Sequence, residues 1–220
     1  MSGVALIVPV KATLGAKQRL SARLDAAERR LLALAMAGDV LRVVTRTVPA
    51  TRCVVVGGDE EVTKLALRYG VAVVRERGAG QSAAVRMGVA WARERGCTAV
   101  ATIAADCPLA SLDDVHSLVA AASRPGRFLR CAPDAAGTGT NAAALRPLDA
   151  DVWRFGPDSL RRHRAAAEGA GLRFAVLDLP SLRIDCDRPE DLGGVLSEPR
   201  PTATFHVLRE LGLASRRAAG

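Results

Sequence analysis

The feature that most constrains the fold is a repeated alternation of short apolar runs with segments of helical periodicity. The runs have the length of strands and contain few polar residues, which is typical of strands buried on both faces. The first four cover residues 5–10, 53–56, 71–74 and 100–105, and later ones lie near 128–132, 141–145 and 172–177. Because such strands alternate with helices, the sequence predicts an α/β fold with a doubly wound, mostly parallel sheet.

Capping signals indicate where the helices begin. Asp25 precedes Glu28 by three residues, as in a capping box, and Ser111 precedes Asp114 in the same way. Pro189 suits the first turn of a late helix, because its missing N–H is not needed there. The predicted helices cover about 25–46, 59–70, 82–95, 111–122 and 159–168.

The domain organisation follows from length and from one proline-rich hinge. The 220 residues are enough for one domain with a sizeable core, and 49% of them are hydrophobic. No linker divides residues 1–196, whereas residues 198–201 read Glu-Pro-Arg-Pro. We therefore predict one domain over 1–196 and a tail over 197–220 with a short helix. This helix is a candidate packing element or the contact of a homodimer.

Several classes of protein are disfavoured by composition. No apolar run approaches the roughly 18 residues that a membrane span requires, and residues 1–10 are too short for a signal peptide. The five cysteines form no C-x-x-C pair, so reduced thiols and a cytoplasmic protein are expected. The net charge of +8 has no accompanying nucleic-acid-binding motif. An enzyme with phosphorylated substrates explains that charge equally well.

Charged side chains follow the predicted strands, where α/β sheets bind their ligands. Lys11 and Lys17 follow the first strand, and Asp106 follows the fourth. Asp185 and Asp187, two residues apart in an extended stretch, share one face. Carboxylates with nearby lysines fit Mg²⁺-assisted chemistry on a nucleotide. The alternatives are that Lys11 is a solvated strand end and that the two later aspartates cap a helix.

Two glycine-centred turns, at 137–141 and 155–159, flank a short apolar run. Glycine lets backbone N–H groups approach a ligand closely, and the second turn opens a helix whose N-terminus attracts anions. The pair of turns indicates a phosphate or carboxylate site. Two ordinary loops, with Asp158 or Ser159 as a helix cap, remain the alternative. His163 on that helix is ambiguous, whereas His116 is expected at the surface.

Five motifs together resemble the 2-phospholactate/phosphoenolpyruvate guanylyltransferase family. They occur in the family's order and cover residues 4 to about 195. The motifs are Val-Pro-Val-Lys at 8–11, Ala-Asp-x-Pro-Leu at 105–109, Gly-Thr-Gly-Thr-Asn at 137–141, Arg-Phe-Gly-Pro-Asp-Ser at 154–159 and Asp-x-Asp-x-Pro-Glu-Asp-Leu at 185–192. The resemblance implies a small nucleotidyltransferase fold, as in nucleotide-diphospho-sugar transferases and the MobA-like molybdenum-cofactor guanylyltransferases.

The resemblance also implies an activity: GMP moves from GTP to the phosphate of phosphoenolpyruvate or 2-phospho-L-lactate, and pyrophosphate leaves. The product serves biosynthesis of the deazaflavin coenzyme called factor 420. On this chain the resemblance implies that Thr140, Gly156 and Ser159 recognise the acid. It puts Mg²⁺ on Asp106, Asp185 and Asp187, beside Lys11 and Lys17. It puts the nucleotide over the first loop and over Gly78, Gly80, Gln81 and Ser82.

The chain departs from the family in this last loop. The family usually has Gly-Leu-Asn-Ala-Ala where this chain has Gly-Gln-Ser-Ala-Ala at 80–84. Gln81 offers a donor and an acceptor that could read a different base. A paralogue that transfers another nucleotide, such as CMP, to another phospho-acid or phosphonate is therefore one alternative. A nucleotide-binding oxidoreductase or regulator is the other, although no dinucleotide fingerprint follows the first strand.

Overall fold

The computed structural model describes residues 3–11, 13, 15–76, 80–199 and 201–213. Seven strands within them form one sheet. The strands are β1 Val4–Val10, β2 Cys53–Gly57, β3 Ala72–Arg75, β4 Ala99–Ile103, β5 Phe128–Ala132, β6 Ala142–Arg146 and β7 Arg173–Val176. Their order in the sheet is β3-β2-β1-β4-β6-β5-β7.

Helices cover both faces of this sheet. They are α1 Ala26–Thr47, α2 Glu60–Arg68, α3 Gln81–Glu94, α4 Leu112–Ser123, α5 Ser159–Gly169, α6 Leu192–Leu196 and α7 Ala203–Glu210. None of the described helices is long and apolar enough to cross a membrane.

Most strand pairs are parallel, and the prediction of an α/β fold with a mostly parallel sheet is confirmed. β1 pairs in parallel with β2 and β4, β2 with β3, and β5 with β7. β6 is the exception, because it runs antiparallel to both β4 and β5. This reversal was not predicted, and it brings the start of β6 to the edge where β4 and β5 end.

The core has two layers because the central strand is buried on both faces. In β1, Leu6 and Val8 belong to the layer that contains residues of α1, α2 and α4, whereas Ala5 and Ile7 belong to the layer that contains residues of α3 and α5. All seven residues of β1 are buried. Each fully buried leucine or isoleucine contributes about 1.5–3 kcal/mol to stability. The edge at which the parallel strands end is therefore supported by a tightly packed core.

Local signals located most helix starts correctly. The Asp25 carboxylate accepts from Glu28 N at 2.8 Å, and the Glu28 carboxylate accepts from Asp25 N at 2.7 Å. The prediction for Pro189 is wrong, since α6 begins only at Leu192. The carboxylate of Asp191 accepts the backbone N–H groups of both residues 187 and 188, which holds the chain in a turn ahead of the helix.

The C-terminal helix packs against α1. The buried carboxylate of Asp39 accepts three hydrogen bonds from the start of α7, from Ala203 N, Thr204 N and Thr204 Oγ1, at 2.7–2.9 Å. Leu208 is fully buried beside Met36 of α1. These contacts join α7 to the body of the protein. The domain boundary at 196 remains a prediction.

Candidate active site

A crevice of about 510 Å³ opens at the carboxyl edge of the sheet. β1 and β4 end there, and the reversed β6 begins there. The turn that leads into β6 therefore faces the residues that follow β1 and β4. Of the predicted site residues, those that line the crevice are Lys11, Lys17, Gly80, Gln81, Asp106, Thr140, Gly156, Ser159, Asp185 and Asp187.

One end of the crevice contains a lysine between two carboxylates. Nζ of Lys17 donates to Oδ2 of Asp106 at 2.9 Å and to Oδ1 of Asp187 at 2.7 Å. The Lys17 side chain is only 8% exposed, and its backbone has a φ of 53°, which is uncommon for a residue other than glycine. Arg19 adds a second cation, 3.9 Å from Asp187. We call Lys17, Asp106, Asp185 and Asp187 the charged cluster.

Burial and charge act in opposite directions on this cluster. Burial alone would lower the pKa of Lys17, but the carboxylates of Asp106 and Asp187 outweigh it and the pKa is raised. Burial would raise the pKa of Asp187, and the ammonium of Lys17 more than offsets it. The pKa of Asp185 is raised, mainly by burial. Lys17 and Asp187 are therefore both charged at neutral pH.

Backbone pairing and one amide fix the spacing of the carboxylates. The N–H of Cys186 donates to the carbonyl oxygen of Asp106 at 3.0 Å, so residues 185–187 lie alongside the end of β4. Nδ2 of Asn141 donates to Oδ1 of Asp185 at 3.1 Å and to the carbonyl oxygen of Leu182 at 3.0 Å. Sequence reasoning gave Asn141 no role of its own. The signal that could have indicated a role for Asn141 was its position, as a polar side chain at the start of a buried strand.

The donor set of this end suits Mg²⁺ that arrives with a nucleotide. Among the described residues, no three histidine, cysteine or acidic side chains converge into a ready-made metal site. Asp106 and Asp187 instead share the ammonium of Lys17. Mg²⁺ needs only one or two protein carboxylates when substrate phosphates and waters complete its coordination. The carboxylates fit that mode, because two of them already face a common positive charge.

The other end of the crevice is built from the glycine turns. Gly156 has a φ of 115°, which favours glycine, and Asp158 has a φ of 52° at the N-cap of α5. Ser159, the first residue of α5, is 2% exposed and still lines the crevice. Leu160 N donates to the carbonyl oxygen of Thr138 at 3.0 Å, which ties the two turns together. The positive end of an 11-residue helix thus faces the crevice.

The structure resolves the ambiguity of His163. The residue is fully buried, with Nδ1 3.1 Å from Oγ1 of Thr140 and Nε2 accepting from Arg154 N at 3.0 Å. Thr140 itself is 6% exposed and lines the crevice. His116, by contrast, is exposed, as predicted. We call Thr140, Gly156, Ser159 and His163 the neutral end.

Residues 80–82, at the start of α3, differ in what they contact. Gly80 and Gln81 line the crevice, and Gly80 has a φ of 85° at the N-cap of α3. Gly78 lies outside the described residues. Ser82 is not among the residues that line the crevice, and its hydroxyl accepts from Phe155 N at 2.9 Å. Ser82 thereby links α3 to the turn that contains Gly156.

Hydrogen bonds to Asp59 hold the first loop in place. Thr13 is 2% exposed, and its backbone N–H and its hydroxyl both donate to Oδ2 of Asp59 at 2.6 Å. The other oxygen of Asp59 caps α2 through Val62 N at 2.9 Å. Lys11, exposed at the end of β1, lines the crevice. Sequence reasoning identified Asp59 as a helix start and missed this second contact.

Comparison with known proteins assigns the chain to a family. The family model for proteins described as "Guanylyl transferase CofC like" matches residues 4–219. The chain belongs to this family. The family's members are nucleotidyltransferases, so the prediction of a guanylyltransferase is confirmed.

Curated relatives cover nearly the whole chain. The phosphoenolpyruvate guanylyltransferase of Conexibacter woesei is 38% identical, over 96% of this chain and 89% of its own. The 2-phospho-L-lactate guanylyltransferase of Methanothermobacter thermautotrophicus is 33% identical, over 97% and 93%. The 3-phospho-D-glycerate guanylyltransferase of Phenylobacterium zucineum is 36% identical, over 93% and 95%. Relatives with similar sequence identity to this chain are thus named for three different acids.

A solved structure supports the fold. A putative nucleotide-diphospho-sugar transferase from Desulfovibrio desulfuricans superposes with a TM-score of 0.76 over 99% of this chain and 98% of its own. The two sequences are 16% identical, so this likeness concerns the fold alone. It confirms the predicted nucleotidyltransferase fold.

Proposed function

We propose that this guanylyltransferase moves GMP from GTP to the phosphate of phosphoenolpyruvate or 2-phospho-L-lactate and releases pyrophosphate. The observation that carries the proposal is that one crevice has two unlike ends. The charged cluster suits a metal-bound triphosphate, and the neutral end suits a small phosphorylated acid. The names of the relatives from Conexibacter and Methanothermobacter support these acceptors.

The neutral end supports recognition of a small anion. Thr140 and Ser159 supply hydroxyl groups, and Gly156 leaves backbone exposed without a Cβ. The N-terminus of α5 adds uncapped N–H groups and a positive potential. Each hydrogen bond from such a donor to a charged oxygen contributes about 1.5–3 kcal/mol. We assign these three residues to the acid.

In the proposed reaction, a phosphate oxygen of the acid attacks the α-phosphorus of GTP in line. A phosphoric anhydride forms between the acid's phosphate and GMP. The bond from the α-phosphorus to the oxygen of the β-phosphate breaks, and that oxygen leaves with pyrophosphate. The second pKa of a phosphomonoester is about 6, so the nucleophile is already ionised at neutral pH and needs no general base.

The protein's task is therefore to bring like charges together. Lys17 is held charged inside the crevice, and Lys11 and Arg19 add positive charge at the same end. Such fixed charges stabilise the negative charge that develops on the leaving pyrophosphate. We propose that Mg²⁺ is held with the triphosphate by one or two carboxylates from the set Asp106, Asp185 and Asp187, where the ion would neutralise phosphate charge. Lys17 bonds to only one oxygen of each of Asp106 and Asp187, so the second oxygen of each carboxylate would be available to the ion.

An assay of pyrophosphate release tests the proposal. GTP, ATP, CTP and UTP are each paired with phosphoenolpyruvate, 2-phospho-L-lactate and 3-phospho-D-glycerate, with and without Mg²⁺, and products are identified by mass spectrometry. We expect a GMP adduct of one of the first two acids, and no turnover without Mg²⁺. A stronger reaction with 3-phospho-D-glycerate, or with another triphosphate, would contradict the proposal as stated.

We further propose that the product serves biosynthesis of the deazaflavin coenzyme factor 420. The relevant chemistry is a GMP leaving group on a three-carbon acid, which activates the acid's phosphate for transfer to an alcohol. Deletion of the coding sequence in its host should abolish the fluorescent coenzyme, and added purified GMP adduct in cell extract should restore it. Normal coenzyme levels after deletion would contradict this assignment.

A further inference from the structure

Both ring nitrogens of His163 have partners, and the partners determine where the ring proton lies. The backbone N–H of Arg154 can only donate, and it lies 3.0 Å from Nε2. Nε2 must therefore offer its lone pair, which leaves the single proton of a neutral ring on Nδ1. Nδ1 lies 3.1 Å from Oγ1 of Thr140. The hydroxyl of Thr140 is then the acceptor in this pair.

The ring is kept neutral and fixed in orientation by its surroundings. Burial lowers the pKa of His163 to about 4, and the charges of Arg154 and Arg162 act in the same direction. Phe155 packs edge-on against the ring at a centroid distance of 4.8 Å, and Trp153 does so at 6.2 Å. The hydrogen bond to Thr140 therefore comes from a ring with one protonation state and one orientation at neutral pH.

This arrangement determines what Thr140 can offer a ligand. A hydroxyl has one proton and two lone pairs, and here one lone pair is occupied by Nδ1–H. The hydroxyl proton cannot be given to His163, so it is available to an acceptor on the other side. Thr140 lines the crevice, so an acceptor bound there can receive this proton. An anionic oxygen there would meet a donor that is already oriented.

We propose that His163 is a positioning residue that holds the hydroxyl of Thr140 as a hydrogen-bond donor toward the acid substrate. It does not touch the substrate. The inference rests on the proposed function, in which Thr140 contacts the acid. It extends that function by naming the group that decides which way this hydroxyl points.

Two amide substitutions separate the two contacts of the ring. The asparagine of His163→Asn has its amide near the place of Nδ1, so it can still donate to Thr140 but leaves Arg154 N unpaired. The glutamine of His163→Gln reaches the place of Nε2, so it can still accept from Arg154 but loses the donor to Thr140. We expect His163→Gln to raise the Michaelis constant for the acid by about tenfold and His163→Asn to retain most of the affinity.

The variant that is expected to bind the acid better is expected to be the less stable of the two. His163→Asn buries an unpaired N–H and should have the lower melting temperature, whereas His163→Gln should remain closer to the wild type. The Michaelis constant for GTP should not change in either variant. A merely structural role predicts that the less stable variant is also the poorer enzyme. That correlation would overturn the proposal.

Two further measurements keep the inference distinct from the proposed function. Nitrogen-15 spectra of the wild-type protein should show the proton of His163 on Nδ1, with the signal assigned by its loss in His163→Gln; a proton on Nε2 would overturn the positioning role. When Thr140 is already valine, His163→Gln should not raise the Michaelis constant for the acid any further. A full additional increase in the double variant would overturn the positioning role. An unchanged constant in Thr140→Val alone would instead refute the acid contact, and this proposal with it.

Discussion

The two ends of the crevice differ in how they hold their shape. The charged cluster depends on Coulomb attraction between Lys17 and two carboxylates that are 29% and 36% exposed. The neutral end depends on a hydrogen bond between groups that are almost wholly buried, His163 and Thr140, which are 0% and 6% exposed. Partly exposed ion pairs exchange partners readily and are weakened by salt, whereas buried hydrogen bonds are costly to break.

This difference matches the tasks that we propose. A triphosphate with Mg²⁺ brings its own large charges, so the residues that receive it must be able to rearrange. A small acid brings few atoms by which it can be told from its analogues, so its donors must be fixed beforehand. Preorganised donors lose little entropy on binding. The substitutions below test whether the two ends are independent in this way.

Removal of a carboxylate from the charged cluster should have the largest effect. Asp106→Asn and Asp187→Asn should each lower turnover by about 10²-fold or more, because charge is lost where we propose that the triphosphate and Mg²⁺ are held. The fold should survive in both. Asp178→Asn is the matched control, since Asp178 pairs with Arg183 at the surface. Near-normal turnover of either site variant at saturating Mg²⁺ would exclude that residue as a metal ligand.

Loss of a hydroxyl at the neutral end should affect only the acid. On the proposed assignment, Ser159→Ala and Thr140→Val each remove one hydrogen bond to a charged group of the acid, which costs about 1.5–3 kcal/mol. The Michaelis constant for the acid should rise accordingly, and that for GTP should hardly change. Ser123→Ala, at the end of α4, serves as the control. Equal weakening of both substrates would show that these turns hold the triphosphate instead.

The buried histidine should make stability depend on pH. The pKa of His163 is about 4 in the folded chain, against 6.5 in the unfolded one, so between these values only the unfolded chain binds the proton. Stability from this residue is complete above about pH 6.5 and declines as the pH falls toward 4. Between pH 7 and pH 5 the loss should be about 2 kcal/mol. Urea unfolding of the wild type and of His163→Gln measures it, and equal pH dependence in the two would contradict it.

The smallest expected effect concerns the choice of base. Gln81 lines the crevice with a donor and an acceptor, and Gln81→Leu should raise the preference for GTP over CTP and ATP by about tenfold, near 1.4 kcal/mol. Ser82→Ala is the matched comparison, because the Ser82 hydroxyl is engaged by Phe155. Competition assays with mixed triphosphates decide the matter. An unchanged ratio in Gln81→Leu would remove this loop from base recognition.

The sequence was most informative where structure is determined locally. The capping box of Asp25 and Glu28 and the cap at Ser111 involve residues three apart, so a linear pattern contains both partners. The Pro189 prediction failed because the competing interaction comes from a side chain further along, at Asp191. The pattern of apolar residues also could not predict the direction of a strand. Nothing in residues 142–146 indicates that β6 runs against its neighbours.

The sequence predicted many of the residues that line the crevice but not the contacts between them. Strand ends predicted that Lys11 and Asp106 lie at the crevice, because the residue after a buried strand emerges at the edge of the sheet, and Lys17 follows in the loop after β1. The contact between Lys17 and Asp187 spans 170 positions and depends on the backbone pairing of Cys186 with Asp106. His163 stands among arginines that suggest a solvated helix face. Its burial is set by Phe155 and Trp153, which lie in the preceding turn.

The reversed strand β6 has a consequence for how this enzyme can diversify. The charged cluster is assembled from three distant stretches of chain, at 17, 106 and 185–187, so no short exchange of sequence can rebuild it. The neutral end is contributed by one continuous stretch, from the turn before β6 to the first turns of α5. If the neutral end binds the acid as we propose, exchange of this single segment between relatives would alter the acceptor and would leave the charged cluster in place as long as Asn141, which bonds Asp185, is retained.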